Sequence, residues 1–427
     1  MAYLLATNGL DRGQAHKLVL GDNVIGRDAD CTVHLNFPSV SRKHVRLVAD
    51  DPHFTISDLN SANGTKINGH QLTNPVSLQP EDVIKIGDLE FSFVLKLPDI
   101  AENVSGRNRT NFQPTAELST LQRRSELLAQ VRAFFCDHGF DEVETPMLSI
   151  DTVVDRHLFP IPLVIHDETY WLQTSPEFHM KRLLTAGMHA IYQITRAFRN
   201  DEKGPYHNLE FTMLEWYRPG LSLTALIDEC GALIRAVLPT DPGPLRQRRY
   251  RELFRETLDV DPFTTSLADL RRLAGQVGGL AMDDADRDGC LDLLMSFVIE
   301  PQLGREGIDA VVDYPASQAA LARKRLDPED GVEVAARFEI YLQGLELANG
   351  YDELTDAAEQ GERFADDNRQ REALGKPSVD PDQRLVAALE SGMPAGSGVA
   401  LGVDRLIQLA LNKESIAEVM AFPTPRC

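Results

Sequence analysis

The sequence predicts two domains joined by a tether: an all-β sandwich over residues 1–98, a flexible linker at 99–114, and a larger domain over residues 115–427 holding both helices and strands. Three observations carry this. A chain of 427 residues exceeds what one small core usually organises. Residues 3–97 are short alternating or apolar runs (KLVL, TVHL, HVRLV, FTISDL, VIKIG, FSFVLKL) separated by Asn, Gly, Asp and Pro at the spacing of sandwich turns. Beyond residue 115, Leu121, Leu127, Leu128, Val131, Phe134 and Phe135 recur at helical spacing, whereas the apolar runs 190–198 and 211–217 bracket a Gly204-Pro205 loop as hairpin strands do.

Composition narrows the function. The chain is 43% hydrophobic and 25% charged, as in ordinary soluble globular proteins. Its first residues lack a basic start followed by a long apolar run, and no later stretch approaches the ~20 apolar residues of a membrane span, so the expected location is the cytoplasm, with no membrane partner. The five cysteines, Cys31, Cys136, Cys230, Cys290 and Cys427, have no C-x-x-C spacing, which argues against disulfides and a zinc site. Net charge is −22, of which the first 98 residues carry only about −2. Such a field repels polyanions and counts against a tRNA partner.

In the first domain, Gly26-Arg27, Ser41-Arg42-Lys43-His44, Ser61-Ala62-Asn63-Gly64-Thr65 and Asn68-Gly69 occur in an order that resembles the forkhead-associated (FHA) domain, a phosphothreonine reader. The chemistry suits a phosphate. Arg27 and Arg42 offer charge-assisted hydrogen bonds, Ser41 a hydroxyl, and Asn63 a side-chain amide to grip the adjoining peptide backbone. The resemblance makes these four the binding residues, with His44, Gly64 and Asn68 shaping the loops; Ala62 stands where some members place a hydroxyl. Its partner would be a threonine-phosphorylated protein. The alternative is an FHA fold serving only docking or dimerisation. In the polar, proline-bounded linker, Thr110 beside Arg107 and Arg109 is a conceivable phosphosite.

In the second domain the helix ends at Gly139 and is followed by EVETPML, a short strand broken at Pro146. Trp171–Thr174 turns from a strand into a helix at Ser175-Pro176-Glu177, leaving Glu177 in the first turn. The hairpin comes next. Arg199 is a fixed cation, Asn208 and Glu210 can hydrogen-bond, Phe211 offers a flat face, and Glu215 and Tyr217 alternate with apolar neighbours, a set able to hold a nucleotide phosphate, a base and a cationic small molecule side by side. Residues 221–310 are helical in pattern, and Asp283-Asp284 with Asp286 and Asp288 read as a solvated helix start rather than a calcium loop. Phe338 to Gly350 reads as a strand entering a turn flanked by Glu346 and Glu353, two hard carboxylates suited to magnesium on a triphosphate. Gly396–Leu406 is a glycine-rich strand opening into a helix.

These segments, RND with HNLEFTMLEWY, GLELANGYDELTD and GSGVALGVDRL, resemble the class II aminoacyl-tRNA synthetases in their lysyl version, and most closely the branch that activates (R)-β-lysine and attaches it to elongation factor P. The resemblance spans 115–427 and implies an α+β fold, an antiparallel sheet flanked by helices, dimerising through the first class II motif, which the long helix, the EVETPML strand and its proline resemble. It implies ATP and magnesium as cofactors. Arg199 and Arg405 become the catalytic cations; Arg199, Asn200, Asp201, Asn208, Phe211, Glu346, Leu347, Gly402 and Arg405 the ATP site; Glu346 and Glu353 the metal ligands. Ser175, Pro176, Glu177, Glu215, Tyr217, Asn349, Glu353 and Ala400 then face lysine or β-lysine, and the Tyr314–Gln318 loop lines the same pocket. Three positions depart from the synthetase pattern: Asp201 replaces a frequent Glu, Leu209 a proline, and Ala400 a glycine. The anticodon-reading domain of the tRNA enzymes is missing, and the FHA-like domain takes its place. Lysyl-tRNA formation is therefore the second reading, and a phosphopeptide adaptor with a degenerate active site the third.

Overall fold

The computed structural model describes residues 2–6, 15–28, 30–35, 37, 39–50, 53–80, 82–95, 112–153, 160–200, 204–279, 282, 285–373 and 379–426. Thr110, Asp201 and the Asp283-Asp284 pair lie outside them. The chain divides into two compact units, Met1–Gln113 and Pro114–Cys427.

The first unit is a sandwich of two sheets. One runs in the order Ala15–Leu18, Ala2–Ala6, Leu89–Val94, Val83–Ile86, Thr65–Ile67 and His70–Gln71; the other in the order Val33–His34, Gly21–Gly26, Val45–Asp50, His53–Asp58 and Val76–Ser77. Strict alternation is the cause. Leu89, Phe91 and Phe93 point inward while Glu90 and Ser92 do not, and Val45, Leu47 and Ala49 oppose them from the second sheet.

The second unit is built on a nine-stranded sheet ordered Asp141–Glu142, Ile191–Phe198, Glu210–Pro219, Gly396–Gly402, Leu345–Asp352, Glu333–Leu342, Ile308–Pro315 and Leu245–Arg249, with Lys324–Leu326 pairing beside Glu333–Leu342. It is antiparallel except for its two outermost pairings. The Leu118–Asp137 and Leu223–Val237 helices cover one face, burying Leu127, Val131, Phe134 and Phe135 with Leu226 and Ile234 against Tyr192 and Trp216. The first helix thus turns its apolar face to its own chain. Its Arg124 also makes a 2.7 Å ion pair with Asp404, whose other oxygen accepts from the Thr212 amide.

Two local expectations change. Residues 221–310 do contain helices, at Leu223–Val237, Tyr250–Leu258, Leu267–Gly278 and Arg287–Leu294, but Leu245–Arg249 is a strand. Its charged sequence LRQRR shows no apolar alternation because it is a sheet edge. The second change concerns Phe338 to Gly350, which is two strands rather than a strand and a turn. Gln343 and Gly344, at φ 55° and 78°, form the two-residue reversal between them.

Candidate active site

The sheet face opposite the two covering helices carries the polar side chains, and strand pairing sets them in rows. Glu215 pairs with Ala400, Ala400 with Asn349, and Asn349 with Glu339. A second row runs Tyr217, Gly398, Tyr351 and Arg337. Glu346 would fall on the wrong face by simple alternation with Asn349. A bulge at Leu347, which has no partner between Tyr341↔Glu346 and Ile340↔Ala348, turns it back to the same side.

The rows form the floor of a cavity of about 490 Å³. Ser175, Glu177, Arg199, Asn208, Phe211, Glu215, Tyr217, Glu346, Leu347, Asn349, Glu353, Ala400, Gly402 and Arg405 all line it. Pro176 is buried and Asn200 exposed, both outside the lining. The sequence reading did not include Arg337, Tyr351, His207 and Asp292, which also line it.

At one end the groups suit a polyphosphate. The Arg199 guanidinium lies 5.2 Å from the Phe211 ring centre. Arg405 is oriented by the Glu346 carbonyl at 2.9 Å, the Glu346 carboxylate at 3.3 Å and His207 Nε2 at 2.7 Å. Burial and the neighbouring Glu339 raise the Glu346 carboxyl above its ordinary range, while Arg405 and Arg199 pull it down. Asn208 donates to the Glu210 carbonyl at 2.6 Å and accepts from the Thr424 amide at 3.0 Å, so its amide holds the hairpin to the C-terminal segment.

At the other end the wall is acidic. Ser175 Oγ donates to Glu215 at 2.6 Å and accepts from the Glu177 amide at 3.0 Å. Burial, reinforced by Glu177 and Glu353, pushes the Glu215 carboxyl up to about 8, and burial likewise pushes Glu353 up to about 7 against the opposing charge of Lys181. Lys181 binds Glu177 and Glu353 at 2.6 Å each. Gly398 is required here, since a Cβ would sit 2.2 Å from the Tyr217 ring and 2.5 Å from Glu353 Oε1.

The expected metal pair is corrected by this geometry. Glu346 and Glu353 do not flank a turn; the strand Leu345–Asp352 separates them, and seven residues at about 3.3 Å each hold their Cα atoms roughly 20 Å apart. They cannot share one ion. Glu353 belongs with Lys181, whereas the carboxylate acting on Glu346 is Glu339 across the hairpin. Among the described residues no group of three or more His, Cys, Asp or Glu side chains is arranged to hold a metal. One accessible carboxylate between two arginines still fits magnesium, which takes one or two carboxylates together with substrate phosphates.

Sequence signals existed for three residues left out, Lys181, Arg337 and Glu339. Lys181 follows Glu177 by four on a helix, and Arg337 and Glu339 alternate with Ala336, Phe338 and Ile340 in a strand too apolar for stray charges.

In the first unit, three loops meet at the predicted phosphate residues. The Arg27 amide donates to the Ser41 carbonyl at 3.0 Å, and the Ala62 amide to Ser41 Oγ at 2.9 Å, leaving that hydroxyl's proton for a ligand. His44 accepts from the Ser41 amide and contacts the Gly64 carbonyl, so it shapes the loops. A Cβ on Gly26 would sit 2.3 Å from the Arg42 carbonyl, which explains the glycine. Arg27, Arg42 and Asn63 are exposed, and Asn63 donates to the Ser39 carbonyl at 2.8 Å.

Comparison with known proteins agrees with both units. The model of class II tRNA synthetases (D, K and N) matches residues 111–426, and the FHA domain model matches residues 23–87. Two relatives, each named elongation factor P–(R)-β-lysine ligase, come from Erwinia tasmaniensis and Edwardsiella ictaluri. They are 47% identical over 325 residues and 48% identical over 324, and each alignment takes in 74% of this chain and 98% of the relative. About a quarter of this chain therefore has no counterpart in those alignments.

Proposed function

The chain belongs to the class II tRNA synthetases (D, K and N) and is a ligase carrying an FHA domain, and on that premise we propose that it activates (R)-β-lysine or lysine with ATP and transfers it to a lysine side chain of elongation factor P. One observation carries the proposal: two arginines and Glu346 meet three buried carboxylates across a single cavity, a polyphosphate end facing an ammonium end.

The steps follow from that polarity. Glu177, Glu215 and Glu353 hold the amines of the amino acid, directing its carboxylate along the Ala400–Asn349 row toward Arg199. The carboxylate attacks the α-phosphorus in line, the bond to the β-phosphate oxygen breaks, and pyrophosphate leaves. Arg199 and Arg405 offset the charge that builds on the transferring group, and a positioned carboxylate needs no general base in this step. Phe211 provides a face for the adenine. Magnesium, when bound through the phosphates near Glu346, supplies further charge neutralisation. The acceptor's neutral ε-amine then attacks the adenylate carbonyl, forming an amide and releasing AMP. Ala400 fills the space between Glu215 and Asn349 with one methyl, which favours an amine set one carbon further along the chain.

The FHA unit reads a phosphothreonine on a partner or on a regulated form of this enzyme. Exposed Leu118 at the start of the first helix, and Met147, Leu148 and Ile150 in the segment that follows it in sequence, support a homodimer. Intact mass of elongation factor P after incubation with the enzyme, ATP and each lysine isomer tests the transfer; no mass gain with any isomer would remove it. Isomer-stimulated exchange of ATP and pyrophosphate separates the readings: lysyl-tRNA formation would favour the synthetase, and absence of exchange the adaptor.

A further inference from the structure

That mechanism leaves two cations of the site without a part, Arg337, which pairs with Glu339, and Lys181, which pairs with two carboxylates of the amino-acid end. Lys181 lies on the Glu177–Thr185 helix, with its side chain 2% exposed and its Nζ 2.6 Å from Glu177 Oε1 and 2.6 Å from Glu353 Oε2. It is behind the carboxylates rather than in the cavity lining. Removing an ammonium from water is costly even when it is paired, so packing alone would be served as well by methionine. The groups acting on it are Glu177 on its own helix, Glu353 just past Leu345–Asp352 and Glu215 on Glu210–Pro219, while Tyr217 and Asp352 face those carboxylates and Tyr351 faces Tyr217. Three carboxylates held this closely, with no cation among them, would lose charge by taking up protons.

We infer that Lys181 is a positioning residue that sets both the charge of the amino-acid pocket and the spacing of its ammonium seats. Joined to one oxygen of Glu177 and one of Glu353, it pins the two carboxylates around a single point and leaves their second oxygens to a ligand. Glu353 Oε1 lies beside Gly398 at the cavity wall. Once a diamino acid has docked and Glu215 has given up its proton, three ionised carboxylates against one ammonium leave two negative charges, one for each amine. A monoamino acid of equal length pairs with only one of them, leaves a second carboxyl protonated and without a cation, and binds more weakly. The inference rests on the amino-acid activation reading and names the device by which that site selects its substrate.

The test uses the full chain with Lys181→Met, Lys181→Arg and Lys181→Ala. In Lys181→Met the KM for the diamino acid rises at least about tenfold, with kcat and the KM for ATP within about threefold, and the preference over norleucine falls by a similar factor. Lys181→Arg recovers part of the loss. Propylammonium restores Lys181→Ala, lowering its diamino-acid KM and raising its melting temperature, without either effect on the wild type. An unchanged diamino-acid KM in Lys181→Met, or an equal loss in the KM for ATP, overturns the inference. If the wild type shows no exchange with any diamino acid, the activation reading fails, and melting still decides the role of Lys181: no selective rise of Lys181→Ala with propylammonium overturns it.

Discussion

Docking an ammonium beside Glu215 should expel a proton. In the empty cavity burial pushes this carboxyl up to about 8, with Glu177 and Glu353 adding to the effect. Glu215 is thus about nine-tenths protonated at pH 7 and about half protonated at pH 8. An ammonium within hydrogen-bonding distance favours the ionised form, so binding of the diamino acid releases about 0.9 proton from Glu215 at pH 7 and about 0.5 at pH 8, and Glu353, pushed up to about 7, adds about 0.5 and about 0.1. The Glu215 part of this linkage strengthens binding about fivefold from pH 7 to pH 8, because less work goes into removing the proton. Calorimetric titration in two buffers of different ionisation enthalpy reads the proton count directly, and the Kd at each pH reads the linkage. Glu215→Gln should lose the larger, Glu215 share of both effects while retaining nucleotide binding. A proton count near zero with a Kd flat between pH 7 and 8 would mean that Glu215 is already ionised in the empty site, and the description of that end of the cavity would be wrong.

Four further outcomes are expected. In the empty protein the Glu215 value lies above its ordinary 4.5, so its contribution to stability is fully present below about pH 4.5 and is lost as pH rises through about 8; the wild-type melting temperature should fall over that window more steeply than that of Glu215→Gln. Arg124→Met leaves Asp404 buried without its ion partner and should cost roughly 3 kcal/mol in a urea melt. Ala400→Gly opens the row between Glu215 and Asn349 and should move selectivity toward α-lysine by at most ~1 to 3 kcal/mol, measured as the ratio of kcat/KM for the two isomers. Arg27→Ala should weaken a phosphothreonine peptide at least about tenfold by calorimetry without altering the plain peptide, and equal affinities throughout would remove the phosphate-reading role.

Much of this protein could be read from local chemistry. The alternation in residues 3–97 dictates a sandwich because period-2 apolar residues must share one buried face. The Gly-Pro loop between two apolar runs dictates the Ile191–Phe198 and Glu210–Pro219 hairpin in the same way, and Ser175-Pro176-Glu177 opens its helix as a proline and an acid at a helix start should. Side-chain chemistry was likewise legible one residue at a time: Arg199 and Arg405 cannot lose their charge, and Glu177 and Glu215 stand where apolar neighbours leave them conspicuous.

Partnership was not legible, because it depends on which strands become neighbours. Glu346 and Glu353 looked like a pair while the segment between them was taken for a turn; the Gln343-Gly344 reversal made that segment a strand and gave each glutamate a different neighbour. The bulge at Leu347, which brings Glu346 to the cavity face, arises from pairing with Glu333–Leu342 and leaves no mark in the sequence. Lys181 shows only a helical i,i+4 relation to Glu177; its second contact, to Glu353, spans 172 positions of chain and exists only once the sheet has formed. Sequence set the identity and charge of each group, and tertiary structure set which charges face each other, because electrostatic energy depends on distances that local periodicity does not encode.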